Sequence, residues 1–129
     1  DKKSRPFVIT AAKTIKDTDT NDIRLYQPKA DIQLNNESWV LVSGNNGTLN
    51  QKENSLLING GINVFTSNGT EIHTSIAEYY FSESYIKGTE EITMHGKWGN
   101  IRGKGFSYNA DSQALKVFGK PILILFTKE

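Results

Sequence analysis

Cysteine is missing altogether, so no disulfide staples the chain and no thiolate serves as nucleophile or metal ligand. Its absence is compatible with any compartment and locates nothing. An excess of either charge is missing too. Fifteen Lys and Arg face 14 Asp and Glu, for a formal net charge of +1, which gives no electrostatic ground for binding nucleic acid or an anionic membrane. No hydrophobic run approaches the roughly 20 residues that span a bilayer as a helix. Helical periodicity bounded by caps occurs in no window. A P-loop and a G-x-S-x-G elbow are likewise lacking, which removes the commonest nucleotide cradle and the commonest hydrolase nucleophile. What remains is a chain of 129 residues, enough for one domain with one core.

The stretch Ser55–Phe81 organises that core. Apolar residues recur at Leu56, Ile58, Ile62 and Val64, with Gly60 completing the series, which is the period of a strand with one buried face. Asn68-Gly69 supplies the positive φ angles of a tight hairpin turn. A second alternating run returns through Ile72, Thr74 and Ile76 to Tyr79, Tyr80 and Phe81. This hairpin repeats. Gly69 and Gly99, and Tyr79 and Tyr108, lie about thirty residues apart, the signature of stacked strand pairs. Gly60, Gly88 and Gly119 each close a short apolar run.

Further strands are expected from Phe7 to about Ile15, from Ile23 to Leu34 with a break at Pro28, over Trp39–Val42, and from Leu115 to Phe126. Trp39-Val40-Leu41-Val42 is apolar on both faces and so predicts a central strand. Three Asn-Gly pairs and eleven glycines support the same conclusion. The fold class is all-β. Residues 1–6 form a charged flank and 127–129 a short tail around a single domain over 7–126. The opening run DKKSR reads as the polar edge of a removed segment.

Chemistry finds little support. The loop KDTDTND carries Asp17, Asp19 and Asp22 but lacks the central glycine and final glutamate of a calcium loop. His73 and His95 sit in equivalent repeats without a patterned third ligand for zinc. Glu90 and Glu91 are adjacent, so a strand sends them to opposite faces and they are a poor glycosidase pair. Lys104-Gly105-Phe106-Ser107-Tyr108 echoes an RNA-binding motif, but that motif needs a sheet backed by two helices. No enzyme activity, metal or cofactor is expected.

The apolar face is the strongest remaining signal. Leu34, Leu41, Leu56, Ile58, Ile62, Val64, Ile72, Ile92, Phe106, Leu115 and Val117 supply it. In a closed sandwich these residues fill a core; if two sheets splay apart, they line a groove for acyl chains. Ile122, Leu123, Ile124 and Leu125 form a very apolar strand without the usual edge protection, which points to a partner at that edge.

The run Leu56-x-Ile58-x-Gly60-x-Ile62-x-Val64, followed by Gly69, Ile72, Thr74, Ala77 and Tyr79, resembles the repeat of the LptC/LptA/OstA family. So do Ile86-x-Gly88 and Gly99-x-Ile101-x-Gly103-x-Gly105-Phe106, and the likeness covers about residues 7–126. The Trp39 strand and the Gly99-to-Phe106 run look more like LptC than the soluble bridge LptA. The resemblance implies an open, twisted β-jellyroll in the periplasm of a Gram-negative bacterium, serving lipopolysaccharide transport in outer-membrane biogenesis. It further implies an inner-membrane anchor ahead of residue 1 and acceptance of lipid from an ATP-driven transporter whose jellyroll meets the N-terminal edge. Delivery would go to an LptA-like jellyroll at the C-terminal edge. Gly60 and Gly88 would be its structural glycines, at positions where a side chain would obstruct sheet curvature or the groove. The alternatives are a soluble LptA-like bridge and a β-sandwich carbohydrate-binding module, the latter using Tyr79, Tyr80 and Tyr85 as a flat aromatic patch.

Overall fold

The structure is a computed structural model that describes residues 7–33, 37–109, 111–112 and 114–126. Leu34, the 1–6 flank and the 127–129 tail lie outside the described residues. Within them there are twelve strands and no helix. The strands are β1 Phe7–Thr10, β2 Lys13–Lys16, β3 Ile23–Tyr26, β4 Lys29–Gln33, β5 Trp39–Ser43 and β6 Asn46–Asn50. They continue as β7 Ser55–Thr66, β8 Glu71–Tyr80, β9 Tyr85–Gly96, β10 Gly99–Asn109, β11 Ala114–Val117 and β12 Ile122–Leu125.

All pairings are antiparallel, and together they describe a meander of bent strands. The four long strands β7 to β10 pair side by side along most of their length. The first half of β7 pairs β6, which leads on to β3 and β2. Its second half pairs β5, which leads on to β4 and β1. At the far side β10 pairs β12 with Gly99–Arg102 and β11 with Phe106–Asn109. Each short pair (β1–β2, β3–β4, β5–β6, β11–β12) is therefore one long strand broken in the middle, and one sheet is folded into two halves.

The fold line is legible in local chemistry. Between β3 and β4, Gln27 has φ 54 and Pro28 has no N–H to donate. In β7 an extra residue sits between Asn59 and Ile62, where Gly60 and Gly61 take φ 81 and 90. In β10 the register slips between Lys104 and Phe106 around Gly105, with φ 90. These breaks bond to one another. The Gln27 N–H donates to the Asn45 carbonyl at 2.8 Å, and the Asn45 side-chain amide donates to the Gly60 carbonyl at 2.6 Å. The Lys104 N–H donates to the Phe118 carbonyl at 2.9 Å. A continuous crease results, because a bulge in one strand is matched by a break in the next.

Three expectations are corrected here. The run from Leu115 to Phe126 is two strands, interrupted over Phe118–Pro121 where Gly119 and Lys120 adopt positive φ. Phe7 to Ile15 is likewise divided at Ala11–Ala12. Gly60 does not continue the alternating series, since the bulge consumes it. The expected break at Pro28 and the strand-pair repeat, β7–β8 followed by β9–β10, stand as read.

Candidate functional site

Both halves of the folded sheet turn their apolar faces inward onto one cavity. From one half come Leu56, Ile58, Ala77, Tyr79, Ile86, Phe106, Tyr108 and Leu115; from the other come Ala30, Ile32, Val40, Val42, Ile62, Val64, Ile72 and Thr74. The free space is narrow, about 70 Å³. One water needs roughly 10–15 Å³ of such space, so the gap between the half-sheets is a few waters in size. The lining is carbon apart from a few hydroxyls, among which Thr74 Oγ1 donates to the Glu91 carbonyl at 2.8 Å.

Seven of the expected groove residues line this space: Leu56, Ile58, Ile62, Val64, Ile72, Phe106 and Leu115. Three do not. Leu41 is 40 % exposed on the outer face. Val40 and Val42 take the inward positions of β5, so the strand is interior in the sheet order but has only one covered face. Ile92 is buried yet contributes nothing to the cavity wall, and Val117 packs over Gly103 near the crease. Sequence reading passed over Ala30, Ile32, Val40 and Val42, whose inward phase is set only after the break at Pro28 and the pairing of β4 with β5.

The two motif glycines act differently. Gly88 faces inward opposite Phe106, and a Cβ there would collide with the Phe106 ring and the Ile76 carbonyl. Its missing side chain is what lets the phenyl ring lie across β9. Gly60 lies at the crease, where a Cβ would meet Asn45 and where φ already disfavours a side chain. Tyr79 and Tyr108 bring the polar tips of the wall. Burial, then the Asp111 carboxylate and Tyr108, pushes the Tyr79 phenol above its ordinary range, and burial does the same for Tyr108.

Three candidates for other chemistry do not assemble. The rings of His73 and His95 lie 6.0 Å apart on the outer surface, bonded to Asn63 and Asn100. Among the described residues no three His, Asp or Glu side chains cluster as a metal site would require. The three tyrosines do not share a patch: Tyr79 turns inward against Phe81, whereas Tyr80 and Tyr85 stack outside with ring centroids 6.4 Å apart.

The apolar edge is as exposed as its sequence suggested. Ile122, Leu123, Ile124 and Leu125 keep 53–61 % of their surface, flanked by Phe118 and Phe126 at 50 and 57 %. Among the described residues β12 has β10 as its one strand neighbour. At the opposite edge, β2 carries Lys13 and Lys16, the usual defence against unplanned pairing.

Residues 4–120 match the family described as Lipopolysaccharide-assembly, LptC-related. The chain belongs to that family. Its fold is also that of LptH from Pseudomonas aeruginosa, described as the LptA homologous periplasmic component of the conserved lipopolysaccharide transport device. The TM-score is 0.75 over 98 % of this chain and 99 % of that one, at 11 % identity. No curated protein matches in sequence. The folded meander is thus the β-jellyroll that LptH also has, carried here by a member of the LptC-related lipopolysaccharide-assembly family. Conservation of fold at so low an identity fits a design that depends on alternation and bends more than on particular side chains.

Proposed function

We propose that this jellyroll carries lipopolysaccharide, without catalysis, by holding its acyl chains between the two half-sheets. One observation carries the reading: a single cavity with an almost wholly apolar wall runs between the halves of the sheet. Burying apolar surface contributes roughly 25 cal/mol per Å², and each acyl chain offers such surface along its whole length. Because the closed cavity is narrow, loading requires the halves to part at the side opposite the crease, where only turns join the strands.

Lipid arrives from an inner-membrane ATP-driven transporter whose jellyroll abuts β1 and β2, and leaves to an LptA-like jellyroll added to β11 and β12. The free apolar edge of β12 supports that direction, since an added strand would satisfy its backbone groups and cover its side chains. The full-length protein is held at the inner membrane by a helix ahead of the jellyroll. A soluble LptA-like bridge is the second reading, favoured by the fold shared with an LptA homologue. Fractionation of cells expressing the full gene separates the two, by membrane retention or release.

The carrier reading is tested by photo-crosslinking from Ile62, Ile72 and Phe106 in cells that make lipopolysaccharide, with exposed Lys52 and Asp111 as controls. Adducts at the three interior positions and none at the controls are expected. Interior positions that give no adduct in a folded protein would reduce the cavity to a sealed core.

A further inference from the structure

The outer face of β9, β10 and β12 carries a second recess. Thr93, His95, Asn100 and Arg102 line one side of it and Ile122 and Ile124 the other, around a space of about 260 Å³. These six point away from the apolar cavity. Thr93 and His95 alternate with the buried Ile92 and Met94, and the register sets Arg102 beside Ile122 and Asn100 beside Ile124. The recess therefore borders the bare edge strand on the face opposite the lipid path proposed above.

Its polar groups are unevenly used. His95 Nδ1 lies 2.9 Å from Asn100 Oδ1. An amide oxygen only accepts, so the ring nitrogen is the donor and the Asn100 NH2 is left over. The Arg102 guanidinium adds a fork of N–H donors; it is exposed and has no ion pair among the described residues. No carboxylate lines the recess. Of the acids on this face, Glu71 lies 3.5 Å from His73 Nε2, and Glu91 stands opposite Lys104. Donors thus outnumber acceptors beside an apolar wall.

The edge limits what can reach this place. The Phe126 N–H donates to the Trp98 carbonyl at 2.9 Å, which fixes the phase of β12. Ile122 and Ile124 spend their backbone groups on β10, and Leu123 and Leu125 turn theirs to the open edge. A strand added there lies two strand spacings from β10, about 10 Å. An arginine and an acidic side chain span that gap together, their stems lying over the isoleucines. A second copy of this chain does not supply the acid. Its β1, the free strand of the same half-sheet, presents Val8 and Thr10 outward.

From this arrangement we infer that the recess is a carboxylate clamp. Its occupant is an aspartate or glutamate on the outward face of the strand that a different protein adds to β12, held by Arg102 and the Asn100 amide over Ile122 and Ile124. The inference rests on the reading that β12 receives a partner strand, and adds what selects that strand. It makes docking at this edge favour an acidic foreign strand over a second copy.

The test is calorimetric titration of the domain with the LptA-like jellyroll of the same organism at low salt. Arg102→Ala should weaken binding about fivefold and Arg102→Glu more than about tenfold. Both losses should shrink in about 0.5 M salt. Lys104→Glu, the same charge change on the same strand outside the recess, should stay within about twofold of the parent. Acidic residues on the partner's edge strand are then replaced by Lys one at a time, and one of them should restore binding to Arg102→Glu. If none does, the clamp is overturned, and competition by inorganic phosphate would then mark the recess as a plain anion site. Full binding by Arg102→Glu, or an equal loss in Lys104→Glu, would overturn it as well. Leu123→Pro removes an N–H from the open edge and separates this inference from the one beneath it. Binding lost there but kept in Arg102→Glu leaves strand addition intact without the clamp. Binding kept in both, or absent in the parent protein, sinks both.

Discussion

β7 and β12 are made of the same kinds of residue and meet opposite fates. In β7, Leu56, Ile58 and Ile62 are only 1–5 % exposed, whereas all four residues of β12 keep more than half their surface. Hydrophobicity does not separate them; position in the sheet does. β7 has strands on both sides along its length and a second half-sheet facing it, while β12 has one neighbour and lies beyond the reach of the opposing face. An apolar strand that the domain itself does not cover is the part of the molecule available for something else to cover.

The sharpest way to break this contrast is to cut into the β7 side. Ile62→Ala should cost about 2–5 kcal/mol of unfolding free energy, read from urea denaturation, because Ile62 is 1 % exposed within the core cluster and lines the cavity. A cost below about 1 kcal/mol would mean the cavity collapses freely and is not held open by its walls. Gly88→Val comes next, with about 1–3 kcal/mol lost to overpacking against Phe106. Adding Phe106→Ala should return part of that loss, a coupling that a simple strand-propensity effect would not produce.

A smaller effect is expected from alkali. The phenols of Tyr79 and Tyr108 sit above their ordinary range in the folded state. The native protein therefore holds these protons more tightly than the unfolded chain does. That contribution is fully present below about pH 10 and is lost as pH rises through the folded-state values. Tyr79→Phe should flatten the decline in melting temperature above that pH, and an unchanged slope would show the wall phenols to be already solvated.

The least effect on stability belongs to β12. Ile124→Lys should change unfolding free energy by no more than about 0.5 kcal/mol, since Ile124 is 53 % exposed. Pull-down of an LptA-like partner should nevertheless be lost. Retained capture together with a large loss of stability would reverse the roles assigned to the two strands.

Much of this was readable before any coordinates. Asn68-Gly69 turns β7 into β8, although Gly69 alone of the pair takes a positive φ, so the turn is not the type I′ expected, and Pro28 breaks its strand because it lacks an N–H. An Asn-Gly pair does not by itself make a turn, since Asn46-Gly47 starts β6 and Asn59-Gly60 lies inside β7 at the crease. One signal misled for a definable reason. Leu41 was placed inward because an apolar run of four residues carries no phase of its own; Val40 and Val42 took the core. Crossing each bend also resets the count. In β8, Ile72 and Thr74 face the cavity before the crease and Ala77 and Tyr79 after it, so even and odd positions exchange.

Alternation, turn residues and the thirty-residue repeat are local properties, so the sequence by itself determined that this is a meander of antiparallel strands with one apolar face. Its order of motifs also carried the family. Which apolar residues line a shared cavity, which lie under it and which stay bare depends on strands far apart in the chain meeting across a crease. Only the tertiary structure decided that, because a single bulge inverts the facing of every residue beyond it.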